Sequence, residues 1–378
     1  MKYFLIAGEP SGDMHAADLM LGIKKHDPEA EFQFFGGDLM QAQGGILIKH
    51  YNEMAFMGVL PVILNINKIR RNFQECKKAI LNYNPHLVIL IDYPGFNLRI
   101  ASFAKQHKFK TAYYISPKIW AWKTNRVYKV KSWVDQMYTI FPFETAFYRK
   151  YNYDVSYVGN PVYDLIQREL KKPFNFDLFC KSNNLLNKPI IALLAGSRTE
   201  EIKGLLPIME QLAEYFPDYQ LVVAGAPHQT QAFYRSITNK DITIVFNQTY
   251  PLLRASSAAV VTSGTATLET ALLNIPQVVV YKMGLGWLLE RLKKYVLKTE
   301  FFSLVNLIAE KQVVKELFQS KVTVQNIQHE LDKTLNNKIH RSSILNGYAE
   351  IAGKLSSEGA AGKAAAAIVK SLKATEHV

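Results

Sequence analysis

Asp92 closes Leu87-Val88-Ile89-Leu90-Ile91, the most apolar strand-like stretch in the first half of the chain. Five branched residues without a polar break read as a strand buried on both faces, as in a parallel sheet. An acid directly after such a strand stands where α/β sheets bind their ligands. Two jobs fit it: capping the helix that follows Tyr93-Pro94-Gly95-Phe96-Asn97, or taking a proton from a substrate hydroxyl. Partial burial would raise its pKa and sharpen the second role. Near the N-terminus, Gly8-Glu9-Pro10-Ser11-Gly12-Asp13 follows the apolar run Tyr3-Phe4-Leu5-Ile6-Ala7 and precedes a helical pattern from Met14 to Lys25. A strand–loop–helix passage aims backbone N–H groups at whatever lies over the strand end. Two carboxylates and a hydroxyl in this loop suit a sugar or hydroxyl site better than a bare phosphate. Gly8, Glu9, Ser11, Gly12 and Asp13 are therefore site candidates.

The second half repeats the theme with different chemistry. Ile190-Ile191-Ala192-Leu193-Leu194 runs into Ala195-Gly196-Ser197-Arg198 and a helix that starts with Glu200 and Glu201. Arg198 beside that helix N-terminus could grip a phosphate with both guanidinium arms, or form an ordinary surface pair with Glu200 or Glu201. Ala259-Val260-Val261-Thr262 leads into Ser263-Gly264-Thr265-Ala266-Thr267-Leu268-Glu269. Ser263 and Thr265 can cap a helix or hold oxygen, and Gly264 lets the backbone approach a ligand. Glu269 falls about one turn into the helix, where a buried carboxylate can hold a ribose diol. Any one loop could be a plain helix cap; together they favour a nucleotide site.

The elements that must carry these loops are short strands alternating with helices. Strands are expected at 2–7, 31–36, 45–49, 86–92, 110–115, 136–140 and 154–158, then at 189–195, 219–224, 241–246, 258–262 and 277–281. This pattern predicts parallel sheets with helices on both faces. Pro161, Pro173, Asn183, Asn184 and Pro189 mark a break between two halves. At the far end, Ser343 to Leu355 and Gly359 to Lys373 read as two helices, the second rich in alanine and suited to close packing on another helix.

Composition narrows the partners. The 378 residues carry a net charge of +13, which points to anionic partners. No acid lies between Asp92 and Asp135, where lysines and arginines interleave with Trp120, Trp122 and Trp133. That mixture suits a lipid headgroup layer, although a solvated basic face has the same composition. Two segments join apolar residues to basic flanks in the manner of interfacial helices. One carries Met57, Val59, Leu60, Val62 and Ile63 ahead of Lys68, Arg70 and Arg71. The other carries Leu285, Trp287, Leu288, Leu289, Leu292 and Val296 among Arg291, Lys293, Lys294 and Lys298. Cys76 and Cys180 make neither a disulfide framework nor a metal set, and no zinc spacing, Walker loop or Gly-x-Gly-x-x-Gly occurs. No stretch reaches the roughly 18 unbroken apolar residues of a spanning helix.

Taken in order, these motifs and Ile115-Ser116-Pro117-Lys118-Ile119-Trp120-Ala121-Trp122, Phe141-Pro142-Phe143-Glu144, Val158-Gly159-Asn160-Pro161 and Ser303-Leu304-Val305-Asn306-Leu307 resemble the lipid-A-disaccharide synthases. The resemblance spans residues 8 to about 310. It implies a glycosyltransferase fold of the GT-B type, two Rossmann-like domains with parallel sheets facing a cleft. Residues 1–165, joined by C-terminal helices at about 345–378, would form the acceptor and lipid half, and 166–344 the UDP-sugar half. It implies an inverting transfer that needs no metal and no cofactor: UDP-2,3-diacylglucosamine plus 2,3-diacylglucosamine 1-phosphate (lipid X) gives a β-1,6-linked tetraacyl disaccharide 1-phosphate and UDP. Asp92 would be the general base, Arg198 and Asn306 would matter for activity, and the Gly8–Asp13 loop would face the acceptor. The setting implied is cytoplasmic, peripheral on the inner-membrane face with its anionic lipid, in Gram-negative outer-membrane lipid synthesis. A homodimer through swapped C-terminal helices fits the family type, and nucleic acid is not an expected partner. The chain departs from the family pattern at Gly95, where many members have a second acid, at Ala195, where proline is common, and at Asn160, where histidine is usual. Two other readings compete: a UDP-N-acetylhexosamine epimerase on the same fold, and a non-catalytic basic membrane-binding protein.

Overall fold

The computed structural model describes residues 1–54, 65–122, 124–238, 242–262, 264–282, 301–357 and 359–376. The chain forms two compact units, Met1–Pro161 with Ser357–Val378 and Val162–Ser356. The first unit is built on a parallel sheet of β1 (Lys2–Ala7), β2 (Glu31–Gly36), β3 (Ile46–His50), β4 (Leu87–Ile91), β5 (Thr111–Tyr114), β6 (Gln136–Thr139) and β7 (Ser156–Tyr157). Their spatial order is β3-β2-β1-β4-β5-β6-β7. All five residues of β4 are sealed from water, as its unbroken apolar run requires of a central strand. The sheet reverses its order of growth between β1 and β4, which pair in parallel with Ala7 opposite Ile91. Ligand crevices open beyond the carboxyl ends of strands at such a switch point.

The second unit repeats the plan with β8 (Ile190–Leu194), β9 (Gln220–Gly225), β10 (Thr243–Phe246), β11 (Ser256–Val261), β12 (Gln277–Tyr281) and β13 (Glu316–Phe318). The order is β10-β9-β8-β11-β12-β13, so its switch point lies between β8 and β11. The three residues of β13, which extend the sheet beyond β12, carry no strand signal of their own in the sequence. The four loops singled out by their chemistry therefore leave the four strands that flank the two switch points.

The helices that matter for the site are α1 (Pro10–His26), α2 (Asp38–Ala42), α3 (Pro94–Gln106), α4 (Pro142–Arg149), α5 (Thr199–Met209), α6 (Gly264–Leu272), α7 (Leu304–Ala309), α8 (Lys338–Leu355) and α9 (Ala360–Glu376). Only α9 of the two terminal helices belongs to the first unit. The reading that placed 345–355 with it is corrected by α8, which stays in the second unit. Ile344, Tyr348, Ile351 and Leu355 are buried there, and the Tyr348 hydroxyl lies 3.1 Å from the Gln277 amide. Alanines let α9 lie close on α1: a Cβ on Gly22 would sit 2.8 Å from that of Ala365. Lys373 donates to the His26 carbonyl at 3.1 Å and fastens the end of the pair. Among the described residues no helix is long and apolar enough to cross a membrane. Enlarging this contact should overpack it. Ala365→Leu is expected to destabilise the first unit by about 1–3 kcal/mol, read as a lower denaturant midpoint without a change in slope.

Candidate active site

At the first switch point the backbone itself is unusual. Asp92 and Tyr93 are consecutive non-glycine residues in left-handed conformation, with φ of 42° and 45°. Such residues cost about 1–3 kcal/mol each and persist only where neighbours over-determine them. Here the neighbours do so from three directions. The Asp92 N–H donates to the Tyr114 carbonyl at 3.1 Å. The buried Asn97 side chain reaches back from α3 and donates to the carbonyls of Asp92 at 2.9 Å and Ile91 at 3.1 Å. The Tyr113 hydroxyl also donates to the Asp92 carbonyl. The cap position of α3 belongs to Tyr93, so Asp92 stands one residue outside the helix. Its half-buried carboxyl is pushed above the usual range by burial, an effect opposed by the charge of Lys118 and by the Tyr93 N–H. A carboxylate held in place and made more basic has the properties a general base needs.

The Gly8–Asp13 loop lies beside it, but its members do different things. Gly8 is required by close approach: a Cβ there would meet the Tyr93 ring at 2.3 Å. The Tyr93 hydroxyl donates to the Met54 carbonyl at 3.0 Å, and burial followed by the charge of Glu9 pushes it up to about 12. Glu9 is half-buried at the start of α1 and Ser11 is exposed. Gly12 packs against Ala7 and Ile91. Asp13 faces inward. It is buried and accepts from the N–H groups of Gly37 at 2.8 Å, Leu39 at 3.0 Å and Met40 at 3.2 Å. Its carboxylate thus caps α2, and a ligand-lining role for that side chain is corrected to a structural one.

At the second switch point, Gly196 has φ of 116°, and a Cβ would lie 2.6 Å from a Glu201 carboxylate oxygen. That carboxylate accepts from the N–H groups of Ser197 and Arg198, both at 3.3 Å, and lies 3.5 Å from the Arg198 guanidinium. The start of α5 therefore already holds an anionic group, in keeping with its dipole and its unsatisfied amides. Arg198 itself is exposed. Thr265 is exposed and Gly264 half-buried at the start of α6, while Ser263 lies outside the described residues. Glu269 accepts from the Tyr250 hydroxyl at 2.9 Å, and its carboxyl is raised by burial against that hydrogen bond.

Asn306 is fully buried and its amide is saturated within the second unit. It donates to Val314 O and to the Glu316 carboxylate, each at 2.9 Å, and accepts from the N–H groups of Val313 at 2.7 Å and Val314 at 3.0 Å. Glu316 also accepts from the N–H groups of Phe302 and Ser303, each at 2.9 Å. Asn306 thus acts through position. It fixes α7, whose Leu304 would lie 3.8 Å from a Cβ on Gly264.

Trp120 also has a different task from the one its surroundings suggested. It is buried, and its indole N–H donates to Glu144 at 3.2 Å. Trp133 is half-buried and packs against the core of the first unit. The buried Glu144 also accepts from Ile140 N at 3.1 Å and Phe141 N at 3.0 Å. Burial raises its carboxyl to about 7, against hydrogen bonds from Phe141, Ile140, Trp120 and Ser116. Sequence reasoning missed Asn97, Tyr113 and Glu144 as site supports. The one usable signal was the three-residue offset from Phe141 to Glu144 at the start of α4, the spacing of a capping box. The apolar candidates Met57, Val59, Leu60, Val62, Ile63, Trp287, Leu288, Leu289 and Leu292 lie outside the described residues. Among the described residues, no group of three or more His, Cys, Asp or Glu side chains is placed to hold a metal ion.

Known proteins meet this geometry at the level of sequence. The profile of the lipid-A-disaccharide synthetase family matches residues 3–368. The chain belongs to this family. It is 37% identical over 352 residues to the lipid-A-disaccharide synthase of Coxiella burnetii strain CbuK_Q154, covering 90% of each chain. It is 36% identical to that of Myxococcus xanthus strain DK1622, covering 98% of this chain and 97% of the other. Solved structures share the fold at much lower identity. A UDP-GlcNAc 2-epimerase from Neisseria meningitidis bound to UDP-GlcNAc aligns over 98% of this chain and 99% of its own, with TM-score 0.65 and 14% identity. The glycotransferase of kitacinnamycin aligns over 98% of this chain and 99% of its own, with TM-score 0.63 and 11% identity. The fold is thus the GT-B type that the resemblance implied, with two Rossmann-like α/β units, and family membership favours a glycosyltransferase over an epimerase or a non-catalytic binder.

The raised Glu144 carboxyl has a consequence for stability. Between its unfolded value near 4.5 and its folded value of about 7, the folded protein keeps a proton that the unfolded chain releases. Stability from this group is therefore greatest below that window and falls as pH rises through it. Glu144→Gln removes the slope. The variant should lose about 2 kcal/mol more, relative to wild type, at pH 5 than at pH 8, measured by denaturant titration at both pH values.

Proposed function

We infer that this chain joins two acylated glucosamines, taking UDP-2,3-diacylglucosamine as donor and 2,3-diacylglucosamine 1-phosphate as acceptor. The observation that carries this reading is the pinned, half-buried Asp92 at the switch point of the first unit, in a chain of this family. Asp92 takes the proton from the acceptor 6-hydroxyl. As that oxygen bonds to the anomeric carbon of the donor, the bond from that carbon to the diphosphate breaks and UDP leaves with the electron pair. Attack opposite the leaving group gives the inverted, β-1,6-linked product. The departing diphosphate gains negative charge, which Arg198 and the amides at the starts of α5 and α6 are suited to stabilise. Gly8, Glu9, Ser11 and Gly12 line the acceptor side, and Asn306 supports the donor side by holding α7.

Acylated substrates put the enzyme at a lipid surface. The net charge of +13 and the two apolar–basic segments support peripheral attachment to the cytoplasmic face of an anionic inner membrane. The donor and acceptor both carry phosphate, which suits the same positive surface.

Replacing the base tests the chemistry. Asp92→Asn keeps a residue type that tolerates left-handed backbone. It should lower UDP release from the two diacylated sugars by about 100-fold or more, with donor affinity unchanged by calorimetry. Activity equal to wild type would remove Asp92 from the mechanism. Membrane attachment is tested separately: changing Leu288 and Leu289 to Gln should reduce co-sedimentation with vesicles containing anionic lipid, and unaltered binding would exclude that segment.

A further inference from the structure

Glu269 carries a charge that the second unit does not offset. It lies half-buried in the second turn of α6, four residues after Thr265, so the two side chains share one helix face. Its Oε1 accepts from the Tyr250 hydroxyl at 2.9 Å; among the described residues its other oxygen meets no donor, and no cation pairs with it. Carboxylates that serve the fold are treated differently. Asp13 takes three backbone amides, and Glu144 takes two amides and an indole. Glu316 takes two amides, a hydroxyl and the side chain of Asn306. A carboxylate has room for about four donors, and drawing it out of water with most of those sites empty is costly. The phenol beside it is firmly placed. Tyr250 stands in the first turn of the helix Thr249–Ala255. That turn begins at Gln248, whose side-chain amide exchanges two hydrogen bonds with Asn183, at 3.1 and 2.9 Å. Leu252 and Leu253 behind it are sealed from water. Burial and the neighbouring acids Glu269 and Glu169 push the hydroxyl above its usual value, so it stays protonated and donates. Both helices start beyond the carboxyl ends of their strands, β10 and β11, on the edge where α/β sheets bind ligands.

We propose that Tyr250 is a positioning residue for the donor nucleotide: by occupying one oxygen of Glu269 it turns the other towards the ribose diol and sets a preference for ribose over 2′-deoxyribose. The inference rests on the reading of the second unit as the UDP-sugar half. The layout of α6 supports it. Its first amides suit the diphosphate, and Glu269 follows Thr265 by about one helical pitch along the same face. A nucleoside diphosphate sets its diol back from its phosphates by a comparable span. The diol brings two O–H donors, which fill acceptor sites that the phenol leaves open. A phosphate at the same place would be repelled by the carboxylate.

Calorimetry on the full chain with UDP and with 2′-deoxy-UDP separates this role from a mere tie between two helices. Wild type should bind UDP about three- to tenfold more tightly than 2′-deoxy-UDP, the worth of one hydrogen bond. In Tyr250→Phe, UDP binding should fall by about the same factor. Binding of 2′-deoxy-UDP, which lacks one of the two hydroxyls, should fall less, so that the preference shrinks to about twofold or under. In turnover the loss should appear in the KM of the donor and not in kcat, since the diol is held alike before and during transfer. In a Glu269→Gln background, Tyr250→Phe should cost less than about twofold, because both act through one contact. UDP binding untouched by Tyr250→Phe overturns the proposal. Equal losses on the two nucleotides reduce Tyr250 to a fold support and overturn it as well, as does the full loss persisting beside Glu269→Gln. If wild type binds UDP but does not tell it from 2′-deoxy-UDP, this inference alone fails; if wild type binds neither nucleotide, the donor reading of the unit fails with it.

Discussion

One backbone carbonyl organises the first unit. The Asp92 oxygen accepts from the Asn97 amide and from the Tyr113 hydroxyl, and those two donors come from a helix and from a neighbouring strand. Asn97 also holds the Ile91 carbonyl, so a single amide ties α3 to the end of β4. Two successive left-handed residues would otherwise relax towards ordinary strand or helix geometry. Held as they are, they turn the chain abruptly at the strand end and leave the Asp92 carboxylate outside the helix instead of on its cap. Tyr93 completes the turn by laying its ring on Gly8, which joins the loop after β1 to the loop after β4. The acid at the switch point is therefore a property of four elements at once.

The second unit solves a different problem with a lighter device. Its switch-point loops rely on glycine, exposed hydroxyls and helix-start amides, and at the start of α5 the Glu201 carboxylate sits on the amides of Ser197 and Arg198 at the long distance of 3.3 Å. Bonds of that length are weak and easily exchanged. Firm support lies one layer back, where Asn306 and Glu316 bind the residues that begin α7. Rigid scaffolding under adaptable amides suits a group whose charge grows as it departs.

Much of this was legible in the sequence because its strongest signals are local. Apolar runs such as Leu87–Ile91 and Ile190–Ile191-Ala192-Leu193-Leu194 can be little other than buried strands, and an acid, an arginine or a glycine placed directly after them lands on the carboxyl edge by geometry. What stayed hidden depends on partners far along the chain. Asp13 looks like a site acid until Gly37, Leu39 and Met40 are found to need its carboxylate. Trp120 looks like an interfacial indole until Glu144 supplies a buried acceptor for its N–H. Asn306 belongs to a motif that suggests ligand contact, yet every polar atom of its side chain is bound to Val313, Val314 or Glu316. The strand Glu316–Phe318 gave no warning because three residues are too few to show a period.

The return of α9 to the first unit sets an order of events during synthesis. The side of α1 that carries Gly22 is covered by a helix that begins at Ala360. Translation at about 5–20 residues per second puts roughly ten to forty seconds between the emergence of Pro161 and that of the covering helix. Throughout that interval the nascent leading unit has every strand of its sheet but an open flank on one layer. Such a flank is a natural landing place for chaperones, and a ribosome stalled after the second unit would leave the leading one unsealed.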